Sequence, residues 1–347
     1  MRAMSAHHDA DHHAETPYSG LTPDLVLDAL DSVGLRGDGR ILQLNSYENR
    51  VFQVFLEDGG VVVAKFYRPG RWTDEQILEE HSFTAELAAE EIPVVAPLVL
   101  AADSTAMLMP LLRGHPPTLA AVASPDGGEY RFAVAPRRAG RQYQVESITD
   151  LEWIGRFIGR MHAVGARRPS EFRPTQSVAS VGWAARDWIC EHADLPPELL
   201  PRWKEAADQA LQVAQSAFDR LGTMEMLRVH GDCHVGNLLW TDAGPHFVDL
   251  DDAANAPAVQ DLWMLLSGDG NAGRAQVRAL LGGYESFREF DDRQLTLVEP
   301  LRTLRMIYHS AWLAKRWQDP AFPAAFPWFG TPSYWQEQIQ LLQERVA

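Results

Sequence analysis

This chain is poor in cysteine and has no long apolar run. Two cysteines, Cys190 and Cys233, occur among its 347 residues, far apart and in no CxxC pattern. Neither a disulfide framework nor a cysteine-ligated zinc site is indicated, and a reducing cytoplasm fits this composition. No stretch reaches the roughly 18 apolar residues of a membrane span, and the N-terminus lacks an apolar signal core. We therefore expect a soluble, cytoplasmic protein without membrane contact.

Positive charge is also scarce. The chain has 31 Lys and Arg against 47 Asp and Glu, a formal charge of −16, which opposes binding to a nucleic-acid backbone. An acidic protein that binds a polyanion must neutralise it locally with a divalent cation and a few basic side chains. Hydrophobic residues make up 46% of the chain, so most of it should bury a core. Because single cores stop growing near roughly 250 to 300 residues, two lobes are expected.

The N-terminal segment changes character near Thr22. Residues 1–20 are polar, with two histidine pairs around Asp9 and Asp11, and we interpret them as a disordered tail. A metal site there would need a folded core to fix its geometry and is the weaker interpretation. Thr22 and Pro23 are typical of a helix N-terminus, and they open the amphipathic segment LTPDLVLDALDSVGL.

Strand signals dominate the next part of the chain. Residues 41–67 alternate with a period of two and contain a DGG hairpin turn, which predicts an antiparallel sheet. One helix is predicted over 73–92, before Pro93, and two further strands over 106–112 and 131–135.

The chain beyond these strands is mostly helical, and strand signals return only at LLW and HFVDL. Pro136 and Gly140 interrupt the regular pattern, so the boundary between lobes is expected there. The prediction is an α+β fold, with an N-lobe over 21–135, built on a small antiparallel sheet with one helix. A larger, mainly helical C-lobe is predicted over 136–347.

The most informative run is HGDCHVGNLLWTDAGPHFVDLDDA, residues 230–253. Asp232 and Asn237 are five residues apart, and Asp249 follows after a turn. Phosphoryl transfer needs oxygen ligands for magnesium and a carboxylate near the incoming hydroxyl, because its loose anionic transition state is stabilised mainly by positioning and charge. Asp249 and Asn237 are candidate metal ligands, and Asp232 is a candidate proton acceptor. A hairpin with polar turns and a solvated acidic end is the alternative.

The same residues resemble a known family. HGDCHVGN resembles the HxDxxxxN catalytic loop of the aminoglycoside phosphotransferase and choline kinase-like superfamily, and VDLDDA resembles its metal-binding strand end. From about residue 40 onward, LNSYENRVFQ, KFYRPGRW, ILEEH, QDLWMLL and DPAFP resemble the bacterial stress-response kinase A group, also called RdoA or YihE-like kinases. This resemblance implies a bilobal protein-kinase-like fold and a cytoplasmic Ser/Thr protein kinase active in stress survival, with ATP as co-substrate and Mg²⁺ as cofactor.

The resemblance assigns roles to particular residues. Asp232 would be the catalytic base, and Asn237 and Asp249 the magnesium ligands, with Asp249 also counted as catalytic. Lys65 in VVVAKFY would contact the α and β phosphates. A lone lysine among apolar residues also needs an anionic partner on physical grounds, unless it is a solvated edge lysine.

The helical partner of Lys65 should lie in ILEEH. We choose Glu80 over Glu79 because one of two adjacent glutamates on a helix must face solvent.

The nucleotide site departs from the usual kinase pattern. NSYENRV stands in place of a GxGxxG loop, and the resemblance assigns a nucleotide contact to Ser46. Asn and Ser favour tight turns that present amides or a hydroxyl to phosphate, although ordinary hairpins use the same residues. Backbone groups of Val134 and Ala135, at the end of a strand, are expected to contact adenine.

Two further polar residues are expected to support this loop. Asp261 in QDLWMLL should open a helix and brace the catalytic loop, as its equivalent does in related kinases, although a plain helix cap is the other interpretation. His230 should pack against the metal-binding strand rather than ligate a metal.

The acceptor is less clear from the sequence. Aromatic and basic residues recur at helical spacing from Arg302 to Trp317, and such aromatic residues more often form core than a binding site. Arginines among them could recognise an acidic peptide or a phosphate, whereas the net charge also suits a polycationic acceptor. A Ser/Thr protein kinase is the first hypothesis. A small-molecule kinase acting on an aminoglycoside, choline or homoserine-like hydroxyl is the second.

Two other classes fit less well. A nucleotide-binding pseudokinase would not need Asp232, and a two-metal hydrolase would need a richer His/Asp cluster.

Overall fold

A computed structural model describes residues 17–101, 107–108, 116–142, 147–267 and 270–346. Its N-terminal part is a six-stranded antiparallel sheet in the order β1-β2-β3-β6-β5-β4. The strands are β1 (Gly37–Leu44), β2 (Arg50–Leu56), β3 (Val61–Phe66), β4 (Met107–Leu108), β5 (Ala120–Ala123) and β6 (Glu129–Pro136).

Two helices accompany this sheet. Helix α1 (Pro23–Asp31) begins as predicted, because the Thr22 hydroxyl accepts a hydrogen bond from the Leu25 N–H at 3.2 Å. Helix α2 (Asp74–Ala89) begins at a capping box between Thr73 and Gln76, inside the predicted range. The predicted strand over 106–112 lies outside the described residues except for β4.

The predicted tail was drawn too long at its C-terminal end. Residues 17–20 form a turn, and the Tyr18 ring is 8% exposed against the sheet. Its hydroxyl lies 3.2 Å from the carbonyl oxygens of both Glu48 and Phe66, to which it donates. A buried aromatic ring with a satisfied hydroxyl anchors this polar segment. Residues 1–16, with the histidine pairs, lie outside the described residues.

The C-terminal part is mainly helical, as predicted. Its α-helices are α3 (Ile148–Gly165), α4 (Ala184–His192), α5 (Leu200–Leu221), α6 (Gly270–Tyr284), α7 (Val298–Lys315), α8 (Ala321–Ala325) and α9 (Pro332–Glu344). One π-helical segment (Val178–Trp183) precedes α4. Short 3₁₀ turns cover Val235–Asn237, Leu250–Asp252, Ala258–Asp261, Trp263–Leu265 and Asp292–Leu297.

Two small sheets frame the loop that contains Asp232. One has the order β10-β9-β7 and the other pairs β11 with β8. Strands β9 and β10 were predicted, whereas the other three are too short to leave a periodic signal. Their bounds are β7 (Arg141–Gln142), β8 (Leu227–Val229), β9 (Leu238–Thr241), β10 (Gly244–Phe247) and β11 (Ala254–Ala256).

The buried apolar residues form separate cores, as expected for two lobes. One lies between α1 and one face of the six-stranded sheet. A larger one fills the helical part and also takes in Phe83 and Leu87 from the end of α2. Helix α2 therefore touches both parts of the fold. Within the described ranges, no helix combines the length and apolarity needed to cross a bilayer.

Candidate active site

Lys65 is the last residue but one of β3 and forms the cationic centre of the site. Its neighbours Ala64 and Phe66 face the apolar core, whereas Lys65 faces the opposite side with its side chain 20% exposed. Its Nζ lies 3.1 Å from Asp249 Oδ1 and 3.1 Å from Asp251 Oδ1. Burial alone would lower the pKa of Lys65, but the two carboxylates raise it well above its usual value. A freely solvated edge lysine is therefore excluded.

Glu79 and Glu80 are both buried, so the expectation that one of them faces solvent is wrong. Glu79 accepts hydrogen bonds from the backbone N–H groups of residues 171–173 at 2.6, 2.8 and 2.7 Å. Glu80 accepts one from the Thr84 hydroxyl at 2.8 Å. Helix α2 packs on two sides, so neither glutamate faces solvent. Within the described residues, the ion pairs of Lys65 are with the two aspartates and not with Glu80.

The predicted catalytic loop, residues 230–237, is held in place by the Asp261 carboxylate. Asp261 is fully buried and accepts hydrogen bonds from the His230 N–H at 2.7 Å and the Gly231 N–H at 2.8 Å. His162 Nε2 lies 3.0 Å from the same carboxylate. The bracing role predicted for Asp261 is confirmed, whereas the predicted helix start is wrong, because Asp261 ends the 3₁₀ turn Ala258–Asp261. His230 Nε2 lies 3.0 Å from the carbonyl oxygen of Val248, so this histidine packs against the end of β10 as predicted.

Asp232 projects from this loop as a carboxylate with two side-chain partners, an arginine and a histidine. Arg305 Nη1 lies 2.8 Å from its Oδ1, and His234 Nε2 lies 3.5 Å from its Oδ2. Burial opposes ionisation of Asp232, but the hydrogen bond from His234 and the charge of Arg305 together hold its pKa well below the usual range. Arg305 was not singled out by the sequence, since helical spacing alone does not show which arginine faces the loop.

Asp249 and Asp251 follow β10 and face different surroundings. Asp249 has a φ of 61°, in the left-handed region, and its side chain is 53% exposed. Asp251 is buried, accepts a hydrogen bond from Asn49 Nδ2 at 3.2 Å and forms an ion pair with Arg71. Asp251 was not predicted as a site residue. The DLDD run did indicate it, because an acidic residue beside the apolar, buried Leu250 requires a cationic partner.

Asn237 and Asp249 offer oxygen donors that fit Mg²⁺. The Asn237 Nδ2 donates to the carbonyl oxygen of Asp232 at 3.0 Å, which fixes the amide and leaves its Oδ1 as the ligand atom. The backbone N–H of Val248, the residue before Asp249, donates to the backbone carbonyl oxygen of Asn237 at 3.0 Å. This hydrogen bond holds the two candidate ligands, Asn237 and Asp249, close together. In the part of the chain that is described, no three His, Cys, Asp or Glu side chains form a metal cluster. Mg²⁺ commonly takes one or two protein oxygens and completes its shell with phosphate and water, as this pair would require.

The loop containing Ser46 lies at the same end of the sheet as Lys65. Leu44 is opposite Val51, and Val51 is opposite Lys65 across the next pair of strands. The connection from β1 to β2, residues 45–49, therefore begins beside the lysine. Ser46 is half-buried in this β1–β2 loop.

The predicted adenine contacts are only partly compatible with β6. The Arg137 N–H donates to the Val61 carbonyl of β3 at 3.3 Å. Residues two apart in a strand direct their backbone N–H and C=O groups to the same neighbouring strand. The backbone groups of Ala135 therefore also point to β3, where Ala135 lies opposite Val63. The Val134 carbonyl accepts from the Leu98 N–H at 2.7 Å, and its side chain is fully buried. The Ala135 amide is therefore not free for adenine. Its side chain does share the Lys65 face of the sheet.

A cavity of about 270 Å³ adjoins the catalytic loop. Gly231 and Arg305 form the side nearest Asp232. Its remaining wall mixes aromatic rings with hydroxyl and amide groups, as expected for a site that receives a small polar molecule. These lining residues include Trp72, Thr175, Gln176, Ser177, Ser180, Asp252, Trp263 and Tyr308.

Comparison with curated proteins gives close relatives. The family model described as "Phosphotransferase enzyme family" matches residues 40–297. Stress response kinase A of Escherichia coli K12 is 42% identical over 334 residues, which cover 94% of this chain and 95% of that protein. Serine/threonine protein kinase RdoA of Salmonella typhimurium LT2 is 41% identical over 329 residues, which cover 95% and 94%.

Comparison with solved structures shows the fold. An amicoumacin kinase in complex with AMP-PNP and Ca²⁺ superposes with a TM-score of 0.70 at 17% identity, covering 93% of this chain and 92% of that one. A microcompartment-associated aminopropanol kinase gives 0.68 at 17% identity, covering 93% and 97%. Both are kinases, and the superpositions show that this chain shares their fold.

Proposed function

This chain belongs to the phosphotransferase enzyme family, and on that premise we propose that it is an ATP- and Mg²⁺-dependent Ser/Thr protein kinase of the stress-response type, acting in the cytoplasm. The proposal rests on one observation above all. Lys65 from the sheet and Asp249 from the helical part meet at 3.1 Å, and the residue before Asp249 is hydrogen-bonded to the catalytic loop.

Each residue of the site has a role in this proposal. Lys65 would bind the phosphates of ATP, since it is a fixed cation on the face of β3 that meets Asp249 and Asp251. Asp249 and the Asn237 Oδ1 would hold Mg²⁺, which neutralises charge on the phosphate oxygens. Ser46 would contact the nucleotide from the β1–β2 loop.

Asp232 would orient the acceptor hydroxyl and receive its proton. Its lowered pKa makes it a weak base, and this suits a loose transition state in which the hydroxyl loses its proton late. Its ionised form is present at neutral pH without any further trigger. Arg305, 2.8 Å from Oδ1, would fix the orientation of this carboxylate toward the acceptor.

A protein acceptor is supported by the name of one relative, which is a serine/threonine protein kinase. The cavity beside Arg305 favours a second candidate, a small-molecule kinase. Its volume of about 270 Å³ falls below the roughly 300 to 1,000 Å³ of pockets for drug-sized ligands. A choline-sized or homoserine-sized acceptor would fit this volume better than an aminoglycoside.

Transfer of labelled γ-phosphate from ATP in the presence of Mg²⁺ tests the proposal. Wild type, Asp232→Asn and the control Asp242→Asn, an exposed aspartate in the turn between β9 and β10, are compared with a generic protein substrate and with a panel of small hydroxyl compounds. Label on protein Ser/Thr that is lost only in Asp232→Asn supports the protein kinase. Label on a small compound alone would replace it with the second candidate. No transfer to either acceptor would refute both.

A further inference from the structure

The β1–β2 loop contains no glycine, and its side chains bind it to the C-terminal part of the fold. Glu48 is the main contact. Its Oε2 accepts a hydrogen bond from Trp312 Nε1 at 2.6 Å, and its Oε1 accepts one from Arg316 Nη2 at 2.9 Å. Trp312 lies in the last turn of α7, and Arg316 is the first residue after this helix. The β1–β2 loop is therefore attached to the C-terminal end of α7.

A second attachment forms around Asp319. This carboxylate is 2% exposed and accepts hydrogen bonds from Arg68 Nη2 at 2.6 Å and Arg50 Nη2 at 3.3 Å. Arg68 also lies 3.1 Å from Glu48 through its Nε. The first residue of β2 and the segment just after β3 therefore share one buried anion from the C-terminal part.

The loop is also linked to the partner of Lys65. Asn49 is buried, accepts a hydrogen bond from the Arg68 N–H at 3.1 Å and donates one to Asp251 at 3.2 Å. Tyr47 packs its ring 5.0 Å from that of Phe326, just beyond α8. Four consecutive residues of this region, 47–50, thus contact partners on the helical side.

We propose that Arg316 and Asp319 are positioning residues for the nucleotide, which they serve by holding the β1–β2 loop over the Lys65 face of the sheet. This inference rests on the proposed use of ATP. Ordering a loop on binding costs affinity. Side-chain contacts with the helical part already hold the β1–β2 loop, so less of that cost would fall on nucleotide binding. The ion pairs are largely shielded from water, so they remain effective at physiological salt.

The test compares nucleotide binding in variants of these residues. Asp319→Asn and Arg316→Gln remove one partner each, and Arg316→Lys retains the charge. Arg302→Gln is the matched control, because Arg302 lies on α7 and pairs with the exposed Glu299 away from the loop. Affinity for AMP-PNP with Mg²⁺ is measured by calorimetry, and hydrogen exchange of residues 45–50 is measured without nucleotide.

We expect AMP-PNP to bind about tenfold more weakly to Asp319→Asn and Arg316→Gln, since each removes one charge from a shielded ion-pair network. The loop should exchange faster in both variants. The KM for ATP should rise by a similar factor, while kcat at saturating ATP stays within about twofold, because the catalytic loop is untouched. Arg316→Lys should recover part of the affinity, and the control should match wild type.

The outcomes separate this inference from the proposed function. If wild type does not bind AMP-PNP, the proposed function fails and this inference with it. If wild type binds but both variants bind equally well, only the positioning role is refuted. Should Asp319→Asn fail to fold, Trp312→Phe decides together with Arg316→Gln, since it removes the N–H that reaches Glu48 and keeps an aromatic ring beside Phe322. Unchanged affinity in those two would equally overturn the proposal.

Discussion

Replacing Asp261 by asparagine tests how the catalytic loop is held. Asp261 is fully buried and uses its two oxygens to accept from two successive backbone N–H groups, at 2.7 and 2.8 Å. An asparagine of the same size has one oxygen, so one N–H loses its acceptor and faces the NH₂ group instead. Loss of a hydrogen bond to a charged group costs roughly 1.5 to 3 kcal/mol, and an unpaired buried donor roughly 1 to 3 kcal/mol. We therefore expect Asp261→Asn to lower the free energy of unfolding by about 3 to 5 kcal/mol.

Urea unfolding followed by fluorescence measures this loss, with phosphoryl transfer measured on the fraction that remains folded. We expect the transfer rate to fall by about 100-fold, because Asp232 stands one residue beyond the braced backbone and a misplacement of about 1 Å has that effect. Asp292→Asn, at an exposed site, is the control and should stay within about 0.5 kcal/mol of wild type. A loss below about 1 kcal/mol together with an unchanged rate would show that the two hydrogen bonds do not hold the loop.

Three further substitutions or conditions give measurable outcomes. Lys65→Met should lower kcat/KM for ATP by about 100-fold or more, because one fixed cation is lost from the phosphate site, and steady-state kinetics would show it; a change below about threefold would exclude a phosphate contact. Gly231→Ala should destabilise the fold by at least about 2 kcal/mol in urea unfolding, since Gly231 has a φ of 85° and an added Cβ would overlap the carbonyl oxygen of Asp252; near-wild-type stability would contradict the observed loop geometry. The pKa values of Asp232 and Asp251 are lower in the folded than in the unfolded state, so their stabilisation is present above the unfolded pKa of about 4 and is lost as the pH falls below it. Urea midpoints measured between pH 3 and pH 8 should therefore fall steeply below about pH 4. A shallower loss should begin below about pH 6.5, because burial lowers the pKa values of His81 and His309 and the unfolded chain is protonated first. Midpoints that stay unchanged between about pH 4 and pH 3 would argue against the carboxylate assignment.

Local chemistry made much of the site predictable from the sequence. The spacing of Asp232, Asn237 and Asp249 identified the loop and the strand end that meet in the structure, and the lone Lys65 among valines identified a residue in need of an anion. The helix starts at Thr22 and Thr73 were equally visible, because capping depends on neighbours within three residues.

What could not be predicted depends on contacts between distant segments. Asn49 and Asp251 are 202 positions apart, and Glu48 and Arg316 are 268 apart, so no periodicity links them. Glu79 is buried because a backbone segment more than 90 residues later covers it.

The direction of backbone groups in a strand was also not predictable. The sequence showed where β6 ends, but not which neighbouring strand the backbone groups of each residue face. These groups alternate along β6, and those of Ala135 face β3, so its amide is not available to adenine. The short strand β5 was missed because its AAVA sequence has too few β-branched residues to give a signal.

Helix α7 limits how modular this enzyme can be. Arg305 and Tyr308 line the cavity beside the catalytic loop, and Trp312 and Arg316, one and two turns further along, hold the β1–β2 loop. A chimera that exchanges this helix to change the acceptor would also exchange the side chains that hold the β1–β2 loop, and with them the proposed positioning of ATP. New acceptor preferences are therefore more readily acquired through the hydroxyl-rich rim at 175–180, where a substitution alters one substrate site and leaves the other intact.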